Sequence, residues 1–388
     1  MYKVKLYNKI SDNGLNCFPK DSFSYSSDLT DYEGILVRSA NLDINTISES
    51  VLAIARAGAG VNNIPVNECT ERGIVVFNTP GANANAVKEM VVAAIYMSSR
   101  NVVKAISWVD TIKDKGDDIP KLVEDGKAQF VGPEVSGKSL GVIGLGAVGL
   151  LVANAAVNLG LTVYGYDPYL SLENAWKLSP KVKNITDINE IYAVSDYLTI
   201  HVPLMNDTKG FINKEALDKA KDGVRVLNFA RGELVDSVDM IQAVKSGKVA
   251  CYITDFPDKY LMGQEGIVNI PHLGASTPES EENCAVMAVQ QLSEYLLKGS
   301  IINSVNFPRC EAPSSYTSRI CFFSNSDVLS AVTDLVRENG YIVENISSVN
   351  NRNSSCSYTI LDLNSTPQNA FIEQLKTISG IIRIRVIE

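Results

Sequence analysis

The sequence contains few residues of the kinds that hold metal ions or cross-link chains. It has only two histidines, His201 and His272, in 388 residues, so we expect no multi-histidine metal site. Its seven cysteines are scattered, odd in number and without a CxxC pair, which is typical of thiols in a reducing compartment. The first residues, MYKVKLYNKIS, alternate like a strand and lack an apolar signal core. We therefore expect a cytoplasmic protein with no bound metal.

Positive charge is also scarce. The chain has 35 Lys and Arg against 44 Asp and Glu, for a net charge of −9, so we expect neither a nucleic acid nor a membrane as a partner. An anionic substrate would need a local cluster of arginines. Overall, 45% hydrophobic and 20% charged residues are ordinary for a globular protein, and the length suits two or three domains.

The most informative stretch runs from Lys138 to Asp167. An apolar run breaks into Gly144, Gly146 and Gly149, a periodic apolar segment follows, and a second strand-like run ends at Asp167. Strand, glycine turn, helix, strand and acid in this order form the dinucleotide-binding fingerprint. Gly144 permits a tight turn, and Gly146 lets the backbone approach a pyrophosphate closely. Gly149 lets the helix pack closely on the strand.

Asp167 bears on which nicotinamide cofactor is bound. It lies 23 residues after Gly144, where a carboxylate binds the ribose hydroxyls and repels a 2′-phosphate. The fingerprint therefore predicts NAD rather than NADP. A membrane span is the alternative, because no charge occurs from Ser139 to Tyr166. The crowded glycines disfavour it, and a buried βαβ unit has the same apolar character.

Strands and helices alternate from Ser139 onwards, which predicts a doubly wound parallel sheet. The strand candidates are residues 141–143, 162–166, 197–201, 224–228, 250–254 and 267–270. Ligands bind such sheets outside the carboxyl ends of the strands. Three segments that resemble functional loops follow strand candidates, at residues 201–203, 228–232 and 271–274.

The flanking segments have patterns of their own. Residues 1–80 alternate short apolar runs with helix-like segments, which predicts a separate α/β domain. Helices are predicted over 83–100 and 277–298, and the second can return the chain to the first domain. After a linker at 303–318, the pattern of residues 318–388 is strand, helix, strand, strand, helix, strand. That is a ferredoxin-like βαββαβ unit.

Two side chains suit hydride transfer at an alcohol carbon next to a bound nicotinamide. His272 would be the acid/base, since an imidazole titrates near neutral pH. Arg231 would anchor a substrate carboxylate through two parallel hydrogen bonds. The alternative for His272 is a histidine buried in the core, and the alternative for Arg231 is an arginine of a surface loop. Both residues lie in tight turns at strand ends, which favours a role in catalysis and substrate binding. We interpret His201 as lining the cofactor cleft.

Four motifs carry a family resemblance: residues 56–62 (RAGAGVN), 144–149 (GLGAVG), 228–236 (NFARGELVD) and 271–277 (PHLGAST). Together they resemble the D-2-hydroxyacid dehydrogenases, over essentially the whole chain. The family implies an α/β fold in which a doubly wound parallel-sheet NAD domain is inserted into a flavodoxin-like substrate domain, with the cleft between them. The C-terminal βαββαβ unit resembles an ACT domain. The implied bounds are 1–98 and 276–308 for the substrate-binding domain, 99–275 for the NAD-binding Rossmann domain, and 309–388 for the ACT-like domain.

The resemblance also implies the site residues. At the phosphate end of the substrate it implies Arg38, Ser39 and Arg56, and for the carboxylate the backbone of Gly58, Ala59 and Gly60. The implied cofactor-binding residues lie in the glycine turn and at strand ends: Gly144, Gly146, Ala147, Val148, Gly149, Asp167, His201, Val202, Pro203, Phe229, Ala230, Asp255 and Gly274.

Within the family, the ACT-like tail and the Arg38-Ser39 pair imply oxidation of 3-phospho-D-glycerate to 3-phosphohydroxypyruvate, the first step of serine biosynthesis. A hydroxypyruvate or glyoxylate reductase and a 4-phosphoerythronate dehydrogenase stay open, as does a non-catalytic NAD-sensing interaction protein on the same scaffold. The family further implies a homodimer or homotetramer, and a serine effector at the ACT-like unit.

The sequence departs from the family pattern at three places. The family pairs its histidine with a glutamate in the loop after the strand that bears Asp255, and no glutamate falls at that offset. Asp258 is the nearest substitute and so a third catalytic candidate, and Glu265 is a poorer one. Ala147 replaces an arginine frequent in the family, and the first turn of the ACT-like unit lacks the usual Pro-Gly.

Overall fold

The computed structural model describes residues 1–313, 315–350 and 356–388. The chain forms two units, of which one comprises Met1–Asn83 and Pro278–Glu388 and the other Ala84–Thr277. The second unit is therefore inserted into the first, as the resemblance implies. The helix 84–100 is grouped with the inserted unit rather than with residues 1–98, and the C-terminal sheet is grouped with the first unit. The three-domain bounds stay a prediction.

Residues 1–83 form a parallel sheet with the strand order β2-β1-β3-β4-β5. This is the flavodoxin-like order, which confirms the predicted fold of this segment. The strand β2 has no sequence prediction, because only two aromatic residues mark it. The elements are β1 (Tyr2–Tyr7), α1 (Asp12–Leu15), β2 (Phe23–Ser26), β3 (Gly34–Val37), β4 (Ala53–Arg56), α2 (Val66–Glu71) and β5 (Val75–Phe77).

The inserted unit begins with three helices and continues as a doubly wound sheet. Its elements are α3 (Ala84–Arg100), α4 (Val102–Thr111), α5 (Ile119–Gly126), β6 (Ser139–Ile143), α6 (Ala147–Asn158), β7 (Thr162–Tyr166), α7 (Leu172–Lys177), β8 (Lys183–Asn184), α8 (Ile188–Val194), β9 (Tyr197–Ile200), α9 (Lys214–Lys219), β10 (Val224–Asn228), α10 (Ser237–Lys245), β11 (Val249–Thr254) and β12 (Ile267–Asn269). The strand order is β12-β11-β10-β9-β6-β7-β8, and all its pairs are parallel.

The order of this sheet reverses between β6 and β9, the switch point at which doubly wound folds bind ligands. Every residue of β6 and β9 is buried, because helices cover both faces of such a sheet. All six strand candidates of the sequence are confirmed. The helices α4 and α5 had no prediction, and none of their residues is buried.

The long helix α11 (Pro278–Lys298) returns the chain to the first unit, where it packs on β3, β4 and β5. Its first turn holds Glu279 and Glu281 and its last turn Lys298, which complements the helix dipole. The apolar side of the helix is buried, with Cys284, Ala288, Leu292 and Tyr295 all in the core. Within the described residues, no helix is both long and apolar enough to cross a membrane.

The C-terminal segment is the predicted βαββαβ unit. Its elements are β13 (Ser318–Ser324), α12 (Leu329–Glu338), β14 (Val343–Asn350), β15 (Ser357–Leu363), α13 (Asn369–Lys376) and β16 (Ile381–Ile387). The sheet is antiparallel with the order β14-β15-β13-β16, which is the ferredoxin-like arrangement. One face packs on α12 and α13, and the other contributes Cys321, Phe323 and Tyr358 to the core around α11.

A buried ion pair joins two strands of this sheet. Arg319 donates from Nε to Asp362 Oδ1 at 2.6 Å and from Nη2 to Oδ2 at 3.0 Å. The remaining donors bind the carbonyl oxygens of Lys298 and Pro313, and the guanidinium lies 3.9 Å from the Tyr316 ring centroid. Since both side chains are almost fully enclosed, neither charge has water to replace its partner.

We expect Asp362→Asn to destabilise the C-terminal sheet by about 3 kcal/mol, because it leaves a buried guanidinium without a counter-charge. Hydrogen exchange of peptides from β13 and β15 measures this directly. The matched control is Asp334→Asn, which removes an exposed pair with Arg337 and should cost no more than about 1 kcal/mol. Equal exchange in the two variants would contradict the assignment.

Candidate active site

The candidate site lies along one edge of the seven-stranded sheet. The strands reach this edge in a single register, in which Ile143, Ile200, Asn228, Thr254 and Asn269 are successive partners across β6, β9, β10, β11 and β12. Because the strands are parallel, the loops that follow these residues begin side by side. The glycine turn and the predicted segments at 201–203, 228–232 and 271–274 therefore share this edge.

The glycine turn at the end of β6 has a steric explanation at two of its three glycines. Gly144 has φ +88°, and a Cβ there would lie 2.7 Å from the His201 carbonyl oxygen. A Cβ on Gly149 would lie 1.9 Å from the Gly144 carbonyl oxygen. The tight turn and the close packing of helix on strand that the sequence predicted are both present.

No steric contact within the protein explains why residue 146 is a glycine. Its φ of −68° suits any residue, and a Cβ would meet nothing within 4 Å. It is the N-cap of α6, so the N–H groups of Ala147 and Val148 lie in the first turn, where a helix presents partial positive charge. The space before Gly146 therefore fits an anion such as a pyrophosphate. Ala147 adds no side-chain cation there.

Asp167 follows β7 and is fixed by two backbone hydrogen bonds. Its Oδ2 accepts from Leu145 N–H at 2.8 Å and its Oδ1 from Tyr169 N–H at 2.8 Å. The first bond ties the carboxylate to the glycine turn. Each oxygen keeps a second lone pair, so the side chain is oriented and still able to accept from ribose hydroxyls.

His201 follows β9 behind the glycine turn. Its Nε2 lies 3.0 Å from Thr199 Oγ1, and burial lowers the pKa of His201 to about 3. The imidazole is therefore neutral at physiological pH and unsuited to proton transfer. The next residue, Val202, contacts the Gly144 turn, and Pro203 is exposed, with its carbonyl accepting from Thr208 Oγ1 at 2.7 Å. The role of residues 201–203 in lining the cofactor cleft stays a prediction.

The loop that carries Arg231 is shaped by a buried asparagine that the sequence reading did not single out. Asn228 accepts from Ala230 N–H at 3.1 Å and donates to the Arg231 carbonyl at 2.8 Å. Phe229 beside it is buried. Arg231 itself is exposed, with Nη1 donating to the Ala230 carbonyl at 2.6 Å. The guanidinium is available at the sheet edge.

The loop that carries His272 is held by Asp255. The Asp255 carboxylate accepts from Leu273 N–H at 2.7 Å and from Gly274 N–H at 2.8 Å, and its carbonyl accepts from His272 N–H at 3.1 Å. A Cβ on Gly274 would lie 2.8 Å from Asp255 Oδ2. His272 has φ +54°, a conformation rare outside glycine and frequent at functional sites.

Asp255 thus stabilises the loop that carries His272, and its implied role in binding the cofactor stays a prediction. Only 1% of the residue is exposed. Burial raises the pKa of Asp255, although the hydrogen bonds from Gly274 and Leu273 and the charge on His272 act in the opposite direction.

Phe256 lies between the loops that carry two of the catalytic candidates, Arg231 and His272. Its ring centroid lies 5.0 Å from that of His272 at an interplanar angle of 56°. On its other side, the Phe256 Cβ lies 3.1 Å from the position of a Cβ on Gly232, the residue after Arg231. The loops of Arg231 and His272 are therefore neighbours on either side of one aromatic side chain. The sequence reading missed this residue.

Asp258, selected as a substitute for the missing glutamate, has hydrogen-bond partners other than His272 in the described residues, and its catalytic role stays a prediction. Its Oδ2 accepts from Ser237 Oγ at 2.6 Å, and its Oδ1 accepts from Tyr260 N–H at 2.7 Å and Leu261 N–H at 2.8 Å. Burial alone would raise the pKa of Asp258, but these hydrogen bonds lower it. The carboxylate stabilises its own loop.

The first unit contains the candidates for the substrate anion. Asn8 Oδ1 accepts from the N–H groups of Arg38, Ser39 and Ala40 at 3.4, 3.0 and 2.8 Å, which fixes the loop after β3. The Arg38 guanidinium is half-exposed and forms an ion pair with Glu281 of α11, Nη2 to Oε1 at 2.5 Å. An anion at Arg38 shares this cation with Glu281.

Arg56 donates to backbone carbonyls of two loops, and its predicted contact with the substrate phosphate stays a prediction. Its Nε donates to the Arg38 carbonyl at 3.0 Å and its Nη1 to the Gly60 carbonyl at 2.6 Å. The same guanidinium would lie 2.6 Å from a Cβ on Gly58, and the Ala59 carbonyl accepts from Asn78 Nδ2 at 2.6 Å. Arg56 therefore links the loops after β3 and β4 and shapes residues 58–60.

Residues 92–274 match the family described as "D-isomer specific 2-hydroxyacid dehydrogenase, NAD binding domain". This segment is therefore similar to the NAD-binding domain of the D-2-hydroxyacid dehydrogenases. The inserted unit is thus an NAD-binding domain. In the described part of the chain, no group of three or more His, Cys, Asp or Glu side chains could hold a metal ion.

Relatives of known name extend the match beyond this domain. The D-3-phosphoglycerate dehydrogenase of Archaeoglobus fulgidus is 33% identical over 83% of this chain and 61% of its own length, and that of Bacillus subtilis is 31% identical over 79% and 59%. The chain spans about six-tenths of the length of these relatives. The solved structure of NAD⁺-bound 3-phosphoglycerate dehydrogenase from Entamoeba histolytica has 26% identity and a TM-score of 0.62, covering 79% of this chain and 98% of that one.

The glycine turn yields a stability prediction. Gly149→Ala should destabilise the inserted unit by about 2 kcal/mol, because the new Cβ overlaps a backbone carbonyl. Gly146→Ser should change the free energy of unfolding by no more than about 0.5 kcal/mol, since its Cβ enters open space and serine is a favourable N-cap. Both tryptophans, Trp108 and Trp176, belong to this unit, so urea unfolding followed by tryptophan fluorescence measures the difference. Equal midpoints for the two variants would contradict the packing argument.

Proposed function

We propose that this protein is an NAD-dependent D-3-phosphoglycerate dehydrogenase that oxidises 3-phospho-D-glycerate to 3-phosphohydroxypyruvate, the first step of serine biosynthesis. The observation that carries the proposal is the shared sheet edge, where the dinucleotide turn, the Arg231 loop and the His272 loop begin in one register. The names of the relatives support the choice of phosphoglycerate.

His272 is the acid/base of the proposed reaction. A ring nitrogen takes the proton of the substrate hydroxyl, and the bound NAD supplies the hydride acceptor. The other histidine cannot share this task, because burial keeps His201 neutral with a pKa of about 3. The buried bonds from Asp255 hold the His272 turn before substrate arrives, so little ordering is left for the reaction itself.

Arg231 binds the substrate carboxylate and polarises the oxygen at the reacting carbon. Its planar fork offers two parallel charge-assisted hydrogen bonds, which a lysine cannot reproduce. We assign NAD to the first-turn N–H groups of α6 and to Asp167, whose orientation by Leu145 N–H suits ribose hydroxyls.

The phosphate end of the substrate is assigned to Arg38 and Ser39, and the carboxylate also to the backbone of residues 58–60. A protein with a net charge of −9 needs such local cations to attract an anion. We further propose a cytoplasmic homodimer or homotetramer, and a serine effector at the ACT-like unit.

A substrate panel tests the reaction. With NAD, kcat/KM for 3-phospho-D-glycerate should exceed that for D-glycerate and 4-phospho-D-erythronate by about tenfold or more, equal to roughly 1.4 kcal/mol of transition-state binding. His272→Asn should lower kcat by about 10²-fold or more, because the proton acceptor is lost.

The control for the histidine variant is Glu265→Gln, an exposed acid paired with Lys104, which should leave kcat unchanged. Near-parental turnover of His272→Asn would remove His272 from the mechanism. A preference for glyoxylate or hydroxypyruvate with NADH would indicate a reductase instead. Measurable NAD binding without turnover of any 2-hydroxy acid would indicate an NAD sensor.

Cofactor binding gives a second test. Gly146→Ser should keep the stability of the parent protein and weaken NAD binding by about tenfold or more, because its side chain fills the space that a pyrophosphate would occupy. Isothermal titration calorimetry with NAD measures the affinity. Unchanged affinity would show that the anion does not bind at this helix end.

A further inference from the structure

The histidine loop has a firmly held backbone and a side chain without a hydrogen-bonded partner. The His272 peptide N–H is bound by the Asp255 and Ile270 carbonyls at 3.1 and 3.0 Å. The imidazole is exposed, and over the described ranges no hydrogen bond reaches either of its ring nitrogens. The backbone hydrogen bonds fix the position of the His272 main chain. They do not fix the rotation of the imidazole about the side-chain torsions.

Three carboxylates, one next to this loop and two named as possible partners of His272, are each bound to other groups. Asp255 accepts from the N–H groups of Leu273 and Gly274, and Asp258 from Ser237 and the N–H groups of its own loop. Glu265 is exposed and paired with Lys104. None of the three is hydrogen-bonded to the imidazole, so the orientation of His272 must come from another contact.

Phe256 makes that contact. Its ring lies against the imidazole in a tilted arrangement, 5.0 Å between centroids, which is within the range that aromatic pairs favour. Phe256 is itself held: it is half-buried, its N–H donates to Thr254 Oγ1 at 3.1 Å, and its Cβ faces Gly232. A side chain larger than hydrogen at Gly232 would crowd it at 3.1 Å.

We propose that Phe256 is the positioning residue for the His272 imidazole, in the role that a hydrogen-bonded carboxylate would otherwise have. The inference rests on the proposed function and deepens it. An aromatic wall selects ring orientation by shape and leaves both ring nitrogens available, one for the substrate and one for solvent. Because Phe256 also contacts the turn after Arg231, the same side chain sets the spacing between the proton acceptor and the carboxylate anchor.

Kinetics of matched variants test the role. Phe256→Leu keeps an apolar side chain and removes the ring, so kcat should fall about tenfold while the affinity for NAD stays within twofold. Phe256→Tyr should restore kcat to within about twofold. In the His272→Asn background, Phe256→Leu should have no further effect, because there is no imidazole left to orient. The control is Tyr260→Leu, an exposed aromatic of the same loop, which should leave kcat unchanged.

A second readout does not depend on turnover. With only two histidines in the chain, selective ¹³C,¹⁵N-histidine labelling gives two sets of ring resonances, and the His272→Asn variant assigns them. Phe256→Leu should shift the His272 ring protons by removing the ring current of the neighbour, and Tyr260→Leu should not.

The outcomes separate the inference from the proposed function. Unshifted His272 resonances in Phe256→Leu, or additive losses of kcat in the double variant, would overturn the positioning role even in an active dehydrogenase. Shifted resonances in a protein that turns over no 2-hydroxy acid would support the contact and overturn the proposed function. A kcat loss that Phe256→Tyr does not rescue would also count against the aromatic wall.

Discussion

The candidate site depends on one buried carboxylate. Asp255 donates its N–H to the Asn228 carbonyl at 3.0 Å and accepts from His272, Leu273 and Gly274. A single residue therefore connects the end of β10 to the whole turn that carries the histidine. Placing a carboxylate where 1% of the residue is exposed is unfavourable unless hydrogen bonds replace water. Because the two loop N–H groups supply them, the loop and the carboxylate stabilise each other.

Among the polar residues at this edge of the sheet, the ones that stabilise the loops differ from the ones that could take part in the reaction. The buried Asn228 and Asp255 shape backbone, and the exposed Arg231 and His272 keep their polar atoms available. Burial also removes His201 from proton chemistry. The backbone strain at His272, with φ +54°, persists because the Asp255 bonds over-determine the turn.

The chain departs from the family's histidine–glutamate pair in the loop after Asp255. Position along the chain selected Asp258 as the nearest acid, yet a side chain's direction is set by the hydrogen bonds of its own loop. Ser237, at the start of α10, and the N–H groups of Tyr260 and Leu261 donate to the two oxygens of Asp258. The ring of Phe256, which carries no charge and matches no motif, is the group that faces the imidazole.

The sequence alone determined the elements and their classes. Glycine spacing with a following acid specified the dinucleotide turn, because the tight turn at Gly144 and the close packing at Gly149 each require glycine locally. Alternating apolar runs specified the strands of both parallel sheets and of the βαββαβ unit, since a buried face imposes its period on the chain. The edge strand β2 and the exposed helices α4 and α5 were not predicted, because little or none of their surface is buried and their sequences therefore lack a strong apolar pattern.

Only the tertiary structure decided which side chains meet. Asn8 with the 38–40 loop, Glu281 with Arg38, and Phe256 with His272 are pairs whose partners come from separate loops or helices. Their meeting depends on how those segments pack, which no local spacing encodes.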